Sequence, residues 1–495
     1  MSTSYTQLEK RFKRLDVLGE AASVLHWDMA AMMPRGGAEA RAEQMALLAT
    51  MRHSMMCEDE MADLLAAAES EGGLDDWQAA NLREMRRNHT HATALDEDLV
   101  EAISRTTSSC EQLWREARPE GDFKKIAPLL KEVLNLSRQA ATAKSEKLGC
   151  SLYDALLDQY EPGGKSANID PIFDRLEEFL PDFLQTVLDQ QKSKAFNLPQ
   201  GPFEIEKQKK LGQHFMETLG FDFEHGRLDV SLHPFCGGTP DDVRLTTRYD
   251  EDDFTSALMG VMHETGHALY ERGLPKEWRH QPVGGALGMS VHESQSLLVE
   301  MQVCRSDAFL KYAVPHMVKA FDGRGADWSL ENITNLYRQV KPGFIRVDAD
   351  EVTYPAHVIL RYKLERALIE GDMEIEDIPA SWNELMQKML GITPESDREG
   401  CLQDIHWYDG AWGYFPTYTL GAMTAAQIYA AVKEAVPGLE ENIANGDFST
   451  LMGWLRENIH GMGSKLSSND LLTQATGKML DPEVFIAHLK SRYST

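Results

Sequence analysis

The sequence predicts a mainly α fold, a large helical body in two lobes with one small β-sheet or hairpin. Three observations predict it. Segments rich in Ala, Leu, Glu, Met and Gln dominate the chain, the Gly/Pro breaks between them are short, and only one stretch alternates apolar with polar residues.

The helical segments are clearest over 38–51, 126–147 and 169–192. Breaks fall at Glu71-Gly72-Gly73, at Glu161-Pro162-Gly163-Gly164, at 198–202 (LPQGP) and at Lys341-Pro342-Gly343. A chain of 495 residues would allow about three domains. No break is long enough for a flexible linker, however, and there is neither repeat nor low-complexity tract. The expectation is therefore one domain over 1–495, with its motif-bearing core at about 226–421.

The exceptional stretch begins at 227–235 (RLDVSLHPF), where Leu228, Val230 and Leu232 alternate. It continues at 242–249 (DVRLTTRY), where Val243, Leu245 and Thr247 do the same. Cys236-Gly237-Gly238-Thr239-Pro240 between them reads as the loop of a β-hairpin.

Composition narrows the function. The net charge is −28 at 26% charged residues, which lacks the basic footprint of a nucleic-acid or anionic-membrane partner. No run of 18 apolar residues and no amino-terminal leader pattern is present. Six cysteines, none closer than 40 residues to the next, contain no Cys-x-x-Cys pair and fit reduced thiols in the cytoplasm.

After the hairpin comes a well-marked helix. Asp250 is its expected N-cap, and Gly273 with Pro275 its stop. It carries His263-Glu264-Thr265-Gly266-His267, an HExxH. Residues at i and i+4 differ by about 40° around the axis and about 6 Å along it, so both imidazoles reach one ion. Glu264 stands on the adjacent flank, where a carboxylate can serve a metal-activated water. The apolar neighbours Leu258, Met259, Val261, Met262, Ala268 and Leu269 would bury these groups, and unpartnered buried imidazoles are costly. A third donor is needed. Tyr270 and its successors do not continue an HxxGxxH pattern, which leaves Glu293 on a following helix, with Glu300 as competitor. Ser290-x-x-Glu293 also reads as a capping box.

These residues carry a likeness. The chain resembles the carboxypeptidase Taq-type metallocarboxypeptidases, whose short motifs appear in order: His233-Pro234-Phe235, Asp242-Val243-Arg244-Leu245-Thr246, HExxH, His292-Glu293-Ser294-Gln295, 345–350 (IRVDAD) and 400–407 (GCLQDIHW). The likeness runs from 25–28 (LHWD) and 34–44 (PRGGAEARAEQ) to 476–482 (TGKMLDP).

The resemblance implies a nearly all-helical fold with a deep groove, a homodimer, and removal of single residues from peptides with a free C-terminus. It implies metal ligands at His263, His267 and Glu293 and a general base at Glu264. Zinc is the expected metal, and Co²⁺ or Mn²⁺ suits the same donors. The activated water would attack the last peptide carbonyl, with His406 and then Tyr418, or alternatively Tyr414, donating to the oxyanion. The segment 410–421 (GAWGYFPTYTLG) resembles the mobile tyrosine loop of related zinc peptidases. Arg346 is the expected clamp for the terminal carboxylate, since a guanidinium binds both oxygens. Its competing role is an ion pair with Asp348 or Asp350. Arg244 is the runner-up clamp, and His233 a groove-shaping or substrate-binding residue. In so acidic a chain, Arg346 would be a local positive exception.

Two rival functions share these residues. One is a groove-type zinc oligopeptidase cutting internally, which needs no carboxylate clamp. The other is a helical binding protein that keeps a metal without catalysis, for which an intact Glu264 has no use.

Overall fold

The computed structural model describes residues 3–194, 196–231 and 233–494. Leu232, read above as an alternating strand residue, lies outside the described residues. Helices hold 69% of the chain, about twice the usual share, so the mainly α expectation stands.

The chain forms two compact units, each assembled from three separate segments. The first comprises residues 1–92, 195–337 and 424–480; the second comprises 93–194, 338–423 and 481–495.

In the first unit, the helix Ser4–Ala31 packs on Ala38–Met56 and Asp59–Glu71. Tyr5, Leu8, Phe12 and Leu15 recur at three- and four-residue spacing and bury one stripe against Met61, Leu65 and Met85. The far end of the first helix reaches the sheet. Ser23 Oγ donates to the Gly238 carbonyl at 2.8 Å, His26 packs edge-on to Phe235, and Trp27 stacks beneath Arg244 and Arg227. The LHWD motif is thus a support for the strands. Arg41 of the PRGGAEARAEQ segment locks it by donating to the Leu25 carbonyl and to Asp28.

The sheet differs from the expected hairpin. It has three strands, β1 (Gly226–Val230), β2 (Phe235–Thr239) and β3 (Asp242–Thr247), in the order β1-β3-β2. β1 runs parallel to β3, and the antiparallel hairpin is β2–β3. Cys236-Gly237-Gly238-Thr239, expected as a loop, is therefore a strand. Glycine permits this: Gly238 has φ +84°, and a Cβ there would lie 2.2 Å from the Asp242 carbonyl oxygen. The tight turn falls at Pro240-Asp241 instead.

The HExxH helix spans Phe254–Gly273 and is buried on almost every side, the pattern of a helix at the centre of a body. Its N-cap is Asp253 rather than Asp250. The Asp253 carboxylate accepts from the Thr255 and Ser256 N–H groups at 2.8 and 3.3 Å. The third-donor helix spans Met289–Leu297 and continues into a π-helical turn, Leu298–Val303. Its N-cap is Gly288, so Ser290 lies inside the helix and the capping box does not form.

The second unit is built on Glu97–Glu120, Phe123–Leu148 and Ser166–Gln191 around a helix, Tyr354–Glu370, that is buried over most of its circumference. The last helix, Pro482–Tyr493, is fastened through Glu351, which accepts from His488 Nε2, Arg492 Nη1 and Tyr493 Oη at 2.7, 2.9 and 3.0 Å.

Candidate active site

In the first unit, helical spacing and one close backbone approach bring three donors together. Ligand atoms of His263, His267 and Glu293 all lie within 4.8 Å of one another. Glu293 Oε2 stands 4.0 Å from His263 Nε2 and 3.6 Å from His267 Nε2. Gly266 makes this possible. A Cβ there would lie 2.4 Å from the Gln295 carbonyl oxygen and 2.6 Å from Ser296 Cα, so only glycine lets the two helices meet.

Each imidazole has its other nitrogen engaged. His263 Nδ1 donates to Glu300 Oε2 at 3.0 Å, and Arg305 Nη2 holds the second Glu300 oxygen at 2.7 Å. His267 Nδ1 meets His292 Nδ1 at 2.7 Å, and His292 Nε2 meets Glu271 Oε1 at 2.8 Å. Glu300, the competing third donor, thus sits behind His263. Two Nε2 atoms and a carboxylate facing one point, with both Nδ1 atoms occupied, are a donor set that a divalent metal takes.

The electrostatics agree. Burial alone would lower His263, but its bond to Glu300 and the charges of Glu293 and Glu264 outweigh this and push it up to about 10. Burial raises Glu264 to about 7, with the neighbouring carboxylates adding to the shift. Burial, then His292 and His263, hold His267 well below an ordinary imidazole. Carboxylates thus surround a place for positive charge. The Glu264 carboxylate accepts no hydrogen bond among the described residues.

The second unit assembles a cluster of opposite sign. Arg346 lies in a short turn, Arg346–Asp348, pinned by Gln403. Gln403 Oε1 accepts the Arg346 N–H at 2.8 Å and its Nε2 donates to the Phe344 carbonyl at 2.8 Å. The Arg346 guanidinium pairs with neither Asp348 nor Asp350. It donates to Asp404 Oδ1 through Nε and Nη2, at 3.1 and 2.8 Å. Asp350 instead caps the backbone, accepting from Lys341, Val352 and Thr353. Arg361 takes the other Asp404 oxygen through Nε at 2.7 Å. Burial alone would raise Asp404; Arg346 and Arg361 outweigh it and hold the carboxyl well below the usual range. Burial lowers Arg361 to about 10 and His357 to about 3. Two arginines on one aspartate leave a buried excess of positive charge. Arg346 Nη1 has no acceptor among the described residues, and Tyr418 lies under the guanidinium, its ring centre 4.6 Å from Cζ.

His406 and Tyr418 are brought together, with His406 Nε2 3.2 Å from Tyr418 Oη. Burial lowers His406 to about 4, so its ring is neutral near pH 7. Tyr418 stands in the first turn of the helix Pro416–Ala435 rather than on a mobile loop, because Pro416 opens the helix there. Tyr414 packs between Tyr160 and Tyr418. Arg244, the runner-up clamp, is committed to Asp242, with Nη2 2.6 Å from Oδ2, and to the face of Trp27. The His233 side chain is exposed after β1, and its carbonyl accepts from Ser231 Oγ.

Comparison with known proteins decides the family. The profile described as "Carboxypeptidase Taq (M32) metallopeptidase" matches residues 7–493. The chain belongs to that family. It is 37% identical to Thermostable carboxypeptidase 1 of Thermus thermophilus, over 99% of this chain and 98% of the relative. It is 34% identical to Carboxypeptidase 1 of Bacillus subtilis, over 98% of each. Among solved structures, Trypanosoma cruzi Metallocarboxypeptidase 1 superposes with a TM-score of 0.98 at 41% identity, covering 99% of both chains. As an M32 member the chain is a metal-dependent carboxypeptidase, a peptide hydrolase acting as an exopeptidase.

Sequence reasoning assigned no role to Glu271 and Arg361, nor to His292 and Asp404, which it quoted only as motif members. Glu271 had a signal, since it repeats the four-residue spacing of His263 and His267. Asp404 stood inside the 400–407 motif and Arg361 in none, and the meeting of both with Arg346 is tertiary.

Proposed function

We propose that this chain removes C-terminal residues from peptides with broad side-chain tolerance, holding zinc through His263 Nε2, His267 Nε2 and the Glu293 carboxylate. The observation that carries this is the convergence of those three donors, each imidazole braced at its other nitrogen. When bound, the metal supplies Lewis acidity to the attacking water and to the scissile carbonyl. Glu264 accepts the proton of that water and returns it to the leaving amine, a role for which its uncommitted carboxylate is available. Arg346 grips the terminal carboxylate through its free edge while Asp404 holds the opposite edge. His406 and Tyr418 supply neutral donors to the developing oxyanion. Arg244 on β3, its guanidinium held by Asp242, and His233 in the β1–β2 connection shape the substrate-binding wall.

We further propose a single catalytic domain over 1–495 that is homodimeric and cytoplasmic. The cytoplasmic reading rests on the six cysteines, all free and therefore suited to a reducing compartment. The testing experiment is Glu264→Gln. It should keep bound metal while losing about 10²–10⁴-fold in kcat. A fully active Glu264→Gln enzyme would remove the assigned base.

A further inference from the structure

The groups behind His267 brace its ring but carry no step of the chemistry proposed above. Resting on the reading that His267 holds the metal through Nε2, we propose that His292, aided by Glu271, is a positioning residue. It fixes which ring nitrogen of His267 carries the hydrogen.

The hydrogen-bond directions follow from the two ends. A carboxylate oxygen only accepts, so His292 Nε2, 2.8 Å from Glu271 Oε1, donates. With His267 Nε2 turned to the metal point, its ring hydrogen stands on Nδ1, and His292 Nδ1 is the atom placed to accept it. The 2.7 Å contact with His267 Nδ1 is made by the His267 hydrogen. The His267 lone pair is left at Nε2, the nitrogen 3.6 Å from Glu293 Oε2. With the directions reversed, a hydrogen would stand on Nε2 and that nitrogen could not bind a cation.

Both anchors are built into the helices. Glu271 lies one turn beyond His267 on the HExxH helix. His292 immediately precedes Glu293, so the helix that delivers the third donor also delivers the group that orients the second. The fully buried Tyr270 packs edge-on to His292 at 5.4 Å and limits its rotation. His263 is oriented differently, by the Glu300 carboxylate held by Arg305. The two imidazoles are thus directed by unlike groups, a carboxylate behind one and a second imidazole behind the other.

The test uses the metal-stripped full chain, with zinc affinity read by competition against a chromogenic chelator and folding read by apo melting. His292→Ala should weaken zinc binding by about 10–100-fold while the apo protein melts near the wild-type temperature. His292→Gln, whose amide oxygen accepts from His267 Nδ1, should recover most of that affinity. Glu271→Leu should weaken zinc in the same direction by less. Wild-type affinity in His292→Ala overturns the proposal, as does a His292→Gln no better than His292→Ala, or a loss matched by collapse of apo melting. His267→Ala separates the two readings. If it loses zinc while His292→Ala does not, the positioning role fails and the ligand assignment stands. If His267→Ala keeps wild-type affinity, the assignment fails, and the positioning role with it.

Discussion

The HExxH region and the Arg346 region are charged in opposite senses and assembled by opposite means. Around His263 and His267 gather four carboxylates, Glu264, Glu271, Glu293 and Glu300, the last held by Arg305, a setting that suits a cation. Around Arg346, two arginines share one aspartate, which leaves room for an anion. The first region rests on two helices and the spacing within them. The second draws Arg346, Arg361, Asp404 and Tyr418 from distant parts of the chain. A carboxypeptidase needs both signs: one for the metal, one for the substrate's terminal charge.

The largest effect should come from unbalancing the cationic cluster. Asp404→Ala strands two buried guanidinium groups, and unfolding free energy should fall by about 3–5 kcal/mol in denaturant titration. Zinc stoichiometry should stay unchanged, because none of the three proposed metal donors touches this cluster. A parallel loss of zinc would break the comparison.

A smaller effect is expected where the helices meet. Gly266→Ala pushes a methyl group into the backbone at Gln295 and Ser296. It should cost about 1–3 kcal/mol and weaken zinc affinity by moving Glu293. A silent Gly266→Ala would mean that the close approach does not set the donor geometry.

A third effect is graded with pH, at most about 1.4 kcal/mol per pH unit for each group. Burial holds His406 at about 4 and His357 at about 3, below their ordinary 6.5. On acidification the unfolded chain therefore binds protons first. The stability contributed by these neutral rings is complete above about pH 6.5 and is lost as the pH falls toward 4. Its loss reaches about 1.4 kcal/mol per pH unit for each histidine. Asp404, depressed by its arginines, adds a loss in the same direction at lower pH. Denaturant midpoints between pH 7 and 4 should follow this slope, and His406→Asn should flatten it by about one proton. An unchanged slope would show that His406 is not buried neutral.

The same contrast explains what the sequence made legible. His263, Glu264 and His267 follow from helical period alone, because their geometry is local. Glu293 needed the family likeness, since a helix register two elements away is not written in spacing. The structure then removed its rival reading, because Ser290 does not cap that helix. The sheet was misread because five- and six-residue strands carry too little periodicity to fix pairing, and glycines in β2 imitate a turn. For Arg346 the sequence supplied the residue but the wrong neighbours. Asp348 and Asp350 are close in the chain, whereas Asp404 is close in space.

The most direct test of the whole account compares two versions of one peptide, one with a free C-terminus and one amidated. Both are digested by the wild-type enzyme with and without a chelator. The account predicts stepwise loss of C-terminal residues from the free peptide, little cleavage of the amidated twin, and no cleavage of either under chelation. Equal cleavage of both, or internal cuts that ignore the terminus, would contradict it.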